Sequence, residues 1–307
     1  MRDRIEQLLG LPLDAWVASP RPSAYRARID LNVGPEGQLG RMKPGTREFE
    51  ALAHEPLARE EVNAALAELV GRDLRGVGRV EIRSSGGKVV LAAQTPRGGD
   101  RKRALQALQG LALPLALDGK AVSGDAQLWL PVEGLRLRVS PASFYQVNLE
   151  VNLLLVHEVR EAALALRPER VLDLYAGVGN LSLPLAAEGV PVTLLEIEGS
   201  AMKDARESAK RHGLDIQTQA MDCRRFKAGD AAFDVAVLDP PRAGAAGAIE
   251  QVLRTRPKGL VYVSCNPEAL ARDLRPCLAT GYRVERLVGF EMFPGTPHAE
   301  VMAVLGR

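Results

Sequence analysis

Three side chains capable of nucleophilic and acid–base chemistry stand at predicted strand boundaries in the C-terminal part of the chain. Cys265 follows the run Val261-Tyr262-Val263-Ser264, which predicts a buried strand that ends just before a helix. Asp239 closes the preceding predicted strand, and Glu300 opens the last one. A cysteine at the tip of a parallel strand faces the edge where α/β sheets bind ligands. It can act there as a nucleophile beside a proton-moving carboxylate, although a lone strand-end cysteine is more often a buried apolar side chain.

Only the fold can bring these residues together, because they are far apart along the chain. After a long predicted helix at residues 147–166, strands and helices alternate, which is typical of a largely parallel sheet. Seven strands are predicted, at residues 171–175, 192–197, 216–221, 233–239, 259–265, 283–290 and 299–305. Helices are predicted in the first five gaps, and the one after Met221 has the weakest pattern.

The direction of the last strand follows from a short loop. Residues 291–298 are too few for a parallel crossover, so the seventh strand should run antiparallel to the sixth. This pattern resembles the Rossmann-like methyltransferase fold, in which strands four, five and seven are neighbours. Asp239, Cys265 and Glu300 would then meet at one edge of the sheet.

The first 139 residues predict a smaller α+β domain on an antiparallel sheet. Its predicted elements are a strand at 25–33 with a partner within 37–48, a hairpin at 78–94, helices at 57–70 and 101–111, and strand-like segments at 128–130 and 135–139. We therefore expect two domains, residues 1–139 and residues 140–307.

Composition excludes several classes of protein. The chain has 307 residues, 46% of them hydrophobic and 25% charged, which is ordinary for a globular protein. Its start is charged and no apolar run could span a bilayer, so we expect a cytoplasmic protein without membrane contact, and a monomer is favoured. Three cysteines without a Cys-x-x-Cys spacing, and four scattered histidines, predict no disulfide framework, no metal site and no iron–sulfur cluster.

The distribution of charge is a weak signal. The net charge of +2 does not by itself indicate a polyanionic partner. The densest basic run contains Arg97, Arg101, Lys102 and Arg103. A solvated loop and helix start is one interpretation of this run, and a phosphate-binding patch is the other.

A glycine-rich turn after the first of the seven strands predicts a nucleotide-like ligand. The segment Leu-Asp-Leu-Tyr-Ala-Gly-Val-Gly-Asn occupies residues 172–180, and Gly177 permits close approach of a ligand to the backbone. Glu196 ends the next strand, where a carboxylate can bind ribose hydroxyls, and Asp222 ends the third, near an adenine amino group. A dinucleotide site usually has a third glycine, but Ser182 stands at that position. S-adenosylmethionine is therefore the better ligand.

A thiol and two carboxyl groups beside a methyl donor fit one kind of pyrimidine chemistry. C5 of uracil is a poor nucleophile, but a thiolate that adds to C6 turns C5 into an enolate-like carbon that can accept a methyl group. A base then removes the C5 proton and the thiolate leaves. Cys265, Asp239 and Glu300 supply the groups required. Taken singly, Asp239 could cap a strand, Glu300 could be a surface residue and His298 could bond a loop carbonyl.

Five segments, in this order, resemble the RNA uridine-5-methyltransferase family, which modifies transfer RNA or the large ribosomal RNA. They are Ser-Pro-Ala-Ser-Phe-Tyr-Gln-Val-Asn at 140–148, the glycine-rich segment at 172–180, Asp-Pro-Pro-Arg-Ala-Gly at 239–244, Ser-Cys-Asn-Pro at 264–267 and Phe-Pro-Gly-Thr-Pro-His-Ala-Glu at 293–300. The resemblance covers residues 140–307 well and residues 25–57 more loosely.

The resemblance implies a role for each site residue. Cys265 is the implied nucleophile and Glu300 the implied acceptor of the C5 proton. The residues implied to line the S-adenosylmethionine site are Gln146, Tyr175, Gly177, Asn180, Glu196, Asp222 and Asp239; those implied to contact the target base are Phe144, Asp239, Arg242 and His298. An unpaired or flipped base is expected, because C5 and C6 are not accessible inside a stack.

Three departures from the family pattern define a short member. We expect no β-barrel domain before residue 25, and Glu55 stands where the last of four cluster cysteines would be. Gly295 stands where the family commonly has histidine. The RNA would be held partly by the run from Arg97 to Arg103 and by Arg26 and Arg28, which would make binding salt-dependent.

Other functions remain open at this stage. They are RNA cytosine-C5 methylation, an NAD-dependent oxidoreductase and a non-catalytic RNA-binding protein. The first uses the same cysteine chemistry, and the last two have no need of Cys265.

Overall fold

The computed structural model describes residues 1–43, 45–46, 48–227 and 233–307. The helices in this part of the chain are α1 (Arg2–Leu9), α2 (Glu60–Ala67), α3 (Arg101–Ala107), α4 (Leu149–Ala165), α5 (Leu183–Ala187), α6 (Gly199–His212), α7 (Ala248–Thr255), α8 (Pro267–Ala279) and a 3₁₀-helix at Cys223–Arg225. The strands are β1 (Ala15–Val17), β2 (Arg28–Val33), β3 (Leu39–Met42), β4 (Phe49–Ala51), β5 (Arg79–Ser85), β6 (Lys88–Gln94), β7 (Leu115–Leu117), β8 (Lys120–Ser123), β9 (Leu128–Val132), β10 (Leu135–Val139), β11 (Val171–Leu174), β12 (Val192–Glu196), β13 (Ile216–Ala220), β14 (Val235–Leu238), β15 (Gly259–Ser264), β16 (Arg283–Phe290) and β17 (Glu300–Gly306).

Two compact units make up the chain. The first consists of Met1–Pro22, Pro131–Leu137 and Glu150–Arg307, and the second of Ser23–Leu130 and Arg138–Leu149. This division differs from the single cut predicted between residues 139 and 140. The chain passes between the units more than once, at residues 22–23 and again around β9, β10 and the start of α4.

Residues 1–22 join the first unit because they extend its sheet. β1 pairs in parallel with β16, with Ala15 opposite Val288. Asp14 donates its N–H to the Leu287 carbonyl at 2.8 Å and accepts the Leu287 N–H on its carboxylate at 2.7 Å. A strand of three residues is too short to show an alternating pattern, so the sequence carried no signal for it.

The sheet of the first unit confirms the predicted fold class. Its strand order is β1-β16-β17-β15-β14-β11-β12-β13, and the seven predicted strands are all present. β17 runs antiparallel to both β15 and β16, while β11 to β15 pair in parallel. β11, β14 and β15 are buried along their whole length, as central parallel strands are. A rigid apolar sheet therefore supports the loops at its carboxyl edge.

A helix was predicted between β13 and β14, and the described residues there do not form an α-helix. The described residues contain only the 3₁₀-helix Cys223–Arg225, in which Asp222 accepts the Arg224 N–H at 3.0 Å. The rest of the predicted helix falls partly on residues 228–232, which lie outside the described residues.

The second unit is an α+β module, as predicted. Its seven-stranded sheet has the order β4-β3-β2-β5-β6-β7-β8, and every pair is antiparallel except β6 with β7. A core that includes Ile29, Leu66, Ile82 and Leu91 lies between this sheet and its helices. In the basic run, Asp100 caps α3 by accepting the Lys102 N–H at 2.8 Å, and Arg101 pairs with Asp118 at 2.9 Å. Part of that run thus has a structural role.

Glu55 is held by protein groups in the second unit. Its buried carboxylate pairs with Arg41, its N–H donates to the Asn63 side chain at 2.9 Å, and the Asn63 amide donates to its carbonyl at 3.0 Å. Within the described ranges, no group of three or more His, Cys, Asp or Glu side chains is arranged to hold a metal ion. Over the same ranges, no helix combines the length and apolar character needed to cross a membrane.

Candidate active site

The sheet of the first unit places a thiol, two carboxyl groups and a guanidinium at one edge. In the antiparallel pairing of β15 with β17, Ser264 lies opposite Val301, so Cys265 and Glu300 emerge side by side. Asp239 follows β14, the next strand of the sheet. Besides burial, the nearby Glu300 and Asp239 carboxyls raise the pKa of the Cys265 thiol, and the Arg242 guanidinium lowers it. The three residues predicted to do the chemistry are therefore neighbours.

Burial and like charge shape the protonation of this cluster. Glu300 is 3% exposed, and burial followed by the nearby Asp239 carboxyl raises its pKa well above the usual range. Burial also raises the pKa of Asp239. In the described structure no donor lies within hydrogen-bonding distance of the Glu300 Oε2 atom. One oxygen of this carboxyl is thus left for a proton or a ligand.

The Cys265 thiol is half-buried rather than sealed inside the protein. Burial, with smaller contributions from Glu300 and Asp239, raises its pKa to about 11, and the positive charge of Arg242 opposes part of that shift. The thiol is consequently protonated at neutral pH. A positive charge brought near it would favour the reactive thiolate.

Arg242 and His298 form an exposed arm next to this cluster. The Arg242 Nη2 atom lies 3.4 Å from the His298 Nδ1 atom, and the His298 ring meets Phe293 edge to face with centroids 6.4 Å apart. A guanidinium can only donate, so the imidazole nitrogen accepts in this contact. Gly295, in the same loop, has a left-handed φ of 73°, a conformation that suits glycine, and a Cβ at this position would meet no other atom within 4 Å.

Helix α8 locks the loop that carries Arg242. The Asn266 amide donates to the Arg242 carbonyl at 2.9 Å, and the Arg272 guanidinium donates to the Ala243 carbonyl at 2.6 Å. The buried Asp273 carboxylate accepts the Ala245 N–H at 2.6 Å and the Tyr262 hydroxyl at 2.7 Å. Because Asn266, the N-cap of α8, directly follows Cys265, one helix fixes the positions of the thiol and the arm together.

The glycine-rich turn is held open by contacts from neighbouring elements. Tyr175 has a left-handed φ of 61°, and its N–H donates to the Cys223 Sγ atom at 3.3 Å. The Ala176 N–H donates to the Leu195 carbonyl at 3.1 Å, and the Gly177 N–H donates to the Glu196 carboxylate at 3.1 Å. A Cβ at Gly177 would point into open space, which leaves room for a ligand against the backbone.

Two carboxylates flank this turn at the ends of β12 and β13. Glu196 is half-buried, and its second oxygen accepts the Glu198 N–H at 3.0 Å. The Asp222 carboxylate pairs with Arg224, and these hydrogen bonds lower the pKa of Asp222 to about 2. Both carboxylates can therefore accept hydrogen bonds from hydroxyl or amino groups.

Four residues with a clear place in this arrangement were not identified from the sequence. Cys223 supports Tyr175, and the Asn152 side chain pairs with Asn180. Asp173 is 1% exposed, and burial, reinforced by Asp239 and Glu196 and opposed by Ser182, raises its pKa to about 8. Ile197 immediately follows Glu196 and is 61% exposed. The one signal for it in the sequence was an apolar residue at the end of a predicted strand.

Phe144 and Gln146 belong to the second unit, on the segment after β10. Phe144 is 58% exposed, and the Arg28 guanidinium lies 4.6 Å from its ring centroid. Arg83 is 1% exposed and donates to the carbonyls of Ser140 at 3.0 Å and Pro141 at 2.6 Å. Gln146 is half-buried. The second unit thus presents an aromatic face on a segment that a buried arginine holds in place.

Comparison with known proteins links the chain to RNA methyltransferases. Residues 125–307 match the family described as tRNA (Uracil-5-)-methyltransferase. The 23S rRNA (uracil(1939)-C(5))-methyltransferase RlmD of Salmonella choleraesuis and that of Salmonella typhimurium are each 35% identical to the chain, over 96% of its length and 73% of theirs. The Pyrococcus abyssi tRNA (uracil-54, C5)-methyltransferase, solved in complex with S-adenosyl-L-homocysteine, has the same fold, with a TM-score of 0.80 and 24% identity over 99% of this chain and 81% of that one.

The buried carboxyl of Asp173 should make stability depend on pH. Its pKa is about 8 in the folded protein against an ordinary value of 3.8, so the folded state keeps a proton that the unfolded chain releases between these values. The free energy of unfolding should therefore fall as pH rises from about 4 to about 8 and then level off. Asp173→Asn, which does not titrate, should make this fall shallower.

Urea unfolding at pH 5 and pH 8 measures the effect. The exposed Glu207 provides a matched control, and Glu207→Gln should keep the pH dependence of the unmodified protein. If the free energy of unfolding changes between pH 5 and pH 8 by the same amount in Asp173→Asn as in the unmodified protein, Asp173 is ionised in the folded state.

Proposed function

We propose, for a chain that belongs to the tRNA (uracil-5-)-methyltransferase family, a reaction in which Cys265 adds to C6 of a uridine in RNA and Glu300 removes the proton from C5. The chain is an S-adenosylmethionine-dependent RNA uracil-C5 methyltransferase. The observation that carries the proposed route is the register of β15 and β17, which sets the thiol beside a buried carboxyl at an accessible sheet edge.

The glycine-rich turn of the first unit fits the methyl donor. Gly177 leaves open space beside the backbone, Glu196 offers a carboxylate for ribose hydroxyls and Asp222 one for an adenine amino group. The exposed Ile197 offers an apolar surface for the adenine ring. Bound there, S-adenosylmethionine supplies an electrophilic methyl group and a positive charge. The structural relative from Pyrococcus abyssi, which holds S-adenosyl-L-homocysteine, supports this assignment.

The acidic residues around the turn are suited to a cationic ligand. Asp173 and Asp239 have raised pKa values because they are desolvated with few compensating charges. A nearby positive charge favours the ionised form of both carboxyls and of the Cys265 thiol. Binding of the donor would thereby help to activate the nucleophile.

The chemical steps then divide between two side chains. The Cys265 thiolate forms a bond to C6, and the electron pair of the C5–C6 double bond becomes available at C5. C5 would take the methyl group as the methyl–sulfur bond of the donor breaks, with S-adenosyl-L-homocysteine as the leaving group. The positive charge of the bound donor would also favour the ionised form of Glu300, which then accepts the C5 proton on its free Oε2 atom. The double bond re-forms as the sulfur–carbon bond breaks, and Cys265 is regenerated.

Arg242 and His298 are the proposed contacts to the target base in the first unit. Both are exposed, they touch one another, and α8 fixes the loop of Arg242 relative to Cys265. A guanidinium donates to carbonyl oxygens, which uracil presents at both O2 and O4. The roles of Gln146 at the donor and of Phe144 at the base remain predictions from the family resemblance.

The RNA proposed as substrate is transfer RNA or 23S rRNA. The Salmonella relatives, which match this chain over 73% of their own length, act on 23S rRNA by name, which makes 23S rRNA the first RNA to test. Mapping of 5-methyluridine in total RNA with and without the protein identifies the position. Appearance of 5-methylcytidine instead would assign the cytosine reaction.

Cys265→Ala should abolish methyl transfer and leave donor binding intact. The sulfur is required to activate C5, whereas the proposed donor site is built from the glycine-rich turn after β11, the end of β12 and the residue before the 3₁₀-helix. Transfer of labelled methyl groups to RNA from cells that lack the protein measures turnover, and calorimetric titration with S-adenosylmethionine measures binding. Cys277→Ala, at a buried cysteine on α8, is the control and should retain turnover. Methylation of uridine by Cys265→Ala would refute the covalent route.

Glu300→Gln should trap the covalent RNA adduct. An amide cannot take the C5 proton, so the reaction stops after methyl transfer with the sulfur still bound to C6. A slow-migrating band of protein with RNA on a denaturing gel detects the adduct. The Cys265→Ala/Glu300→Gln double variant should show no such band. If Glu300→Gln turns over at the unmodified rate, another group removes the proton.

A further inference from the structure

We propose that Asn152 is a positioning residue for the donor site, acting through the side chain of Asn180. The Asn180 Nδ2 atom donates to the Asn152 Oδ1 atom at 2.8 Å, and the Asn152 Nδ2 atom donates to the Asn180 Oδ1 atom at 3.0 Å. Both residues lie in the first unit. The inference deepens the proposed function and rests on S-adenosylmethionine binding at the glycine-rich turn.

The location of Asn152 calls for a polar partner. It lies near the start of α4 among the buried residues Val151, Leu155 and Val156, and only 2% of it is exposed. A buried amide without hydrogen bonds is costly, so an asparagine on this apolar stripe is tolerated because Asn180 pairs with it. The pair also ties α4 to a residue 28 positions further along the chain.

The paired amide leaves Asn180 able to bind a ligand. A primary amide has two N–H donors and two acceptor lone pairs, and the reciprocal pair uses one of each on Asn180. The remaining donor and lone pair belong to a half-exposed side chain at the end of the turn. Rotation of the Asn180 amide alone would set donor against donor. Asn152 therefore holds the Asn180 side chain in place before the donor arrives.

Among the described residues, three side chains hydrogen-bond to the turn, and Asn152 is one of them. Cys223 holds the N–H of Tyr175 and Glu196 holds the N–H of Gly177. Those two contacts fix the first half of the turn through its backbone. Asn152 contacts the last residue of the turn through its side chain, so its loss should affect what Asn180 does and leave the backbone of the first half in place.

Calorimetric titration with S-adenosylmethionine tests this role without knowledge of the RNA. Asn152→Ala and Asn152→Leu should each weaken binding about tenfold, the effect of losing roughly one hydrogen-bond contribution of 1.4 kcal/mol. Asn152→Leu fills the same buried space and keeps the test usable if Asn152→Ala does not fold. Val159→Ala, a core truncation elsewhere on α4, is the matched control and should bind as the unmodified protein does.

A double-mutant cycle separates positioning from a direct or merely structural role. If Asn152 acts through Asn180, Asn152→Leu/Asn180→Ala should bind no more weakly than Asn180→Ala alone. If the fold-losses in S-adenosylmethionine affinity of the two single variants multiply in the double variant, the inference is overturned. It is also overturned if Val159→Ala weakens binding as much as the Asn152 variants do. Absence of any binding by the unmodified protein would instead refute the proposed function itself.

Discussion

The antiparallel pairing of β17 with β15 is the constraint on which the site depends. A last strand that returned in parallel would carry Glu300 to the opposite edge of the sheet, far from Cys265. The short connection at residues 291–299 forces the reversal, and the register of Ser264 with Val301 then sets carboxyl and thiol side by side. Strand direction thus decides the chemistry available at this edge.

Unfavourable electrostatics accompany this arrangement. Asp173, Asp239 and Glu300 are acidic groups held close together, and burial raises the pKa of each. Proteins tolerate such clusters where a ligand or a reaction supplies the missing positive charge. The Asp273 carboxylate, on α8, holds the loop that follows Asp239 through its bonds to the Ala245 N–H and the Tyr262 hydroxyl. The same few acidic residues therefore lower the stability of the protein without ligand and suit the site to a positively charged ligand.

Strong local patterns predicted the strands and the reversal of the last one, and the resemblance to the methyltransferase fold predicted the meeting of Cys265, Asp239 and Glu300. Apolar strands, a glycine turn and one short loop are each readable within about ten residues. Asn152 and Cys223 escaped notice because their partners lie 28 and 48 residues away, and neither type of residue is informative alone. The N-terminal strand β1 was missed for a different reason, since pairing with β16 and not its own pattern makes it a strand.

The two ends of the eight-stranded sheet are finished in different ways. At one end β1 covers β16, and the Trp16 ring lies so close to Gly289 that a Cβ there would approach it to 2.5 Å. At the other end β13 presents a sequence of Ile, Gln, Thr, Gln and Ala, which is too polar to recruit a foreign strand readily. A three-residue strand at one end and a polar strand at the other therefore make both ends poor templates for pairing with a strand of another chain.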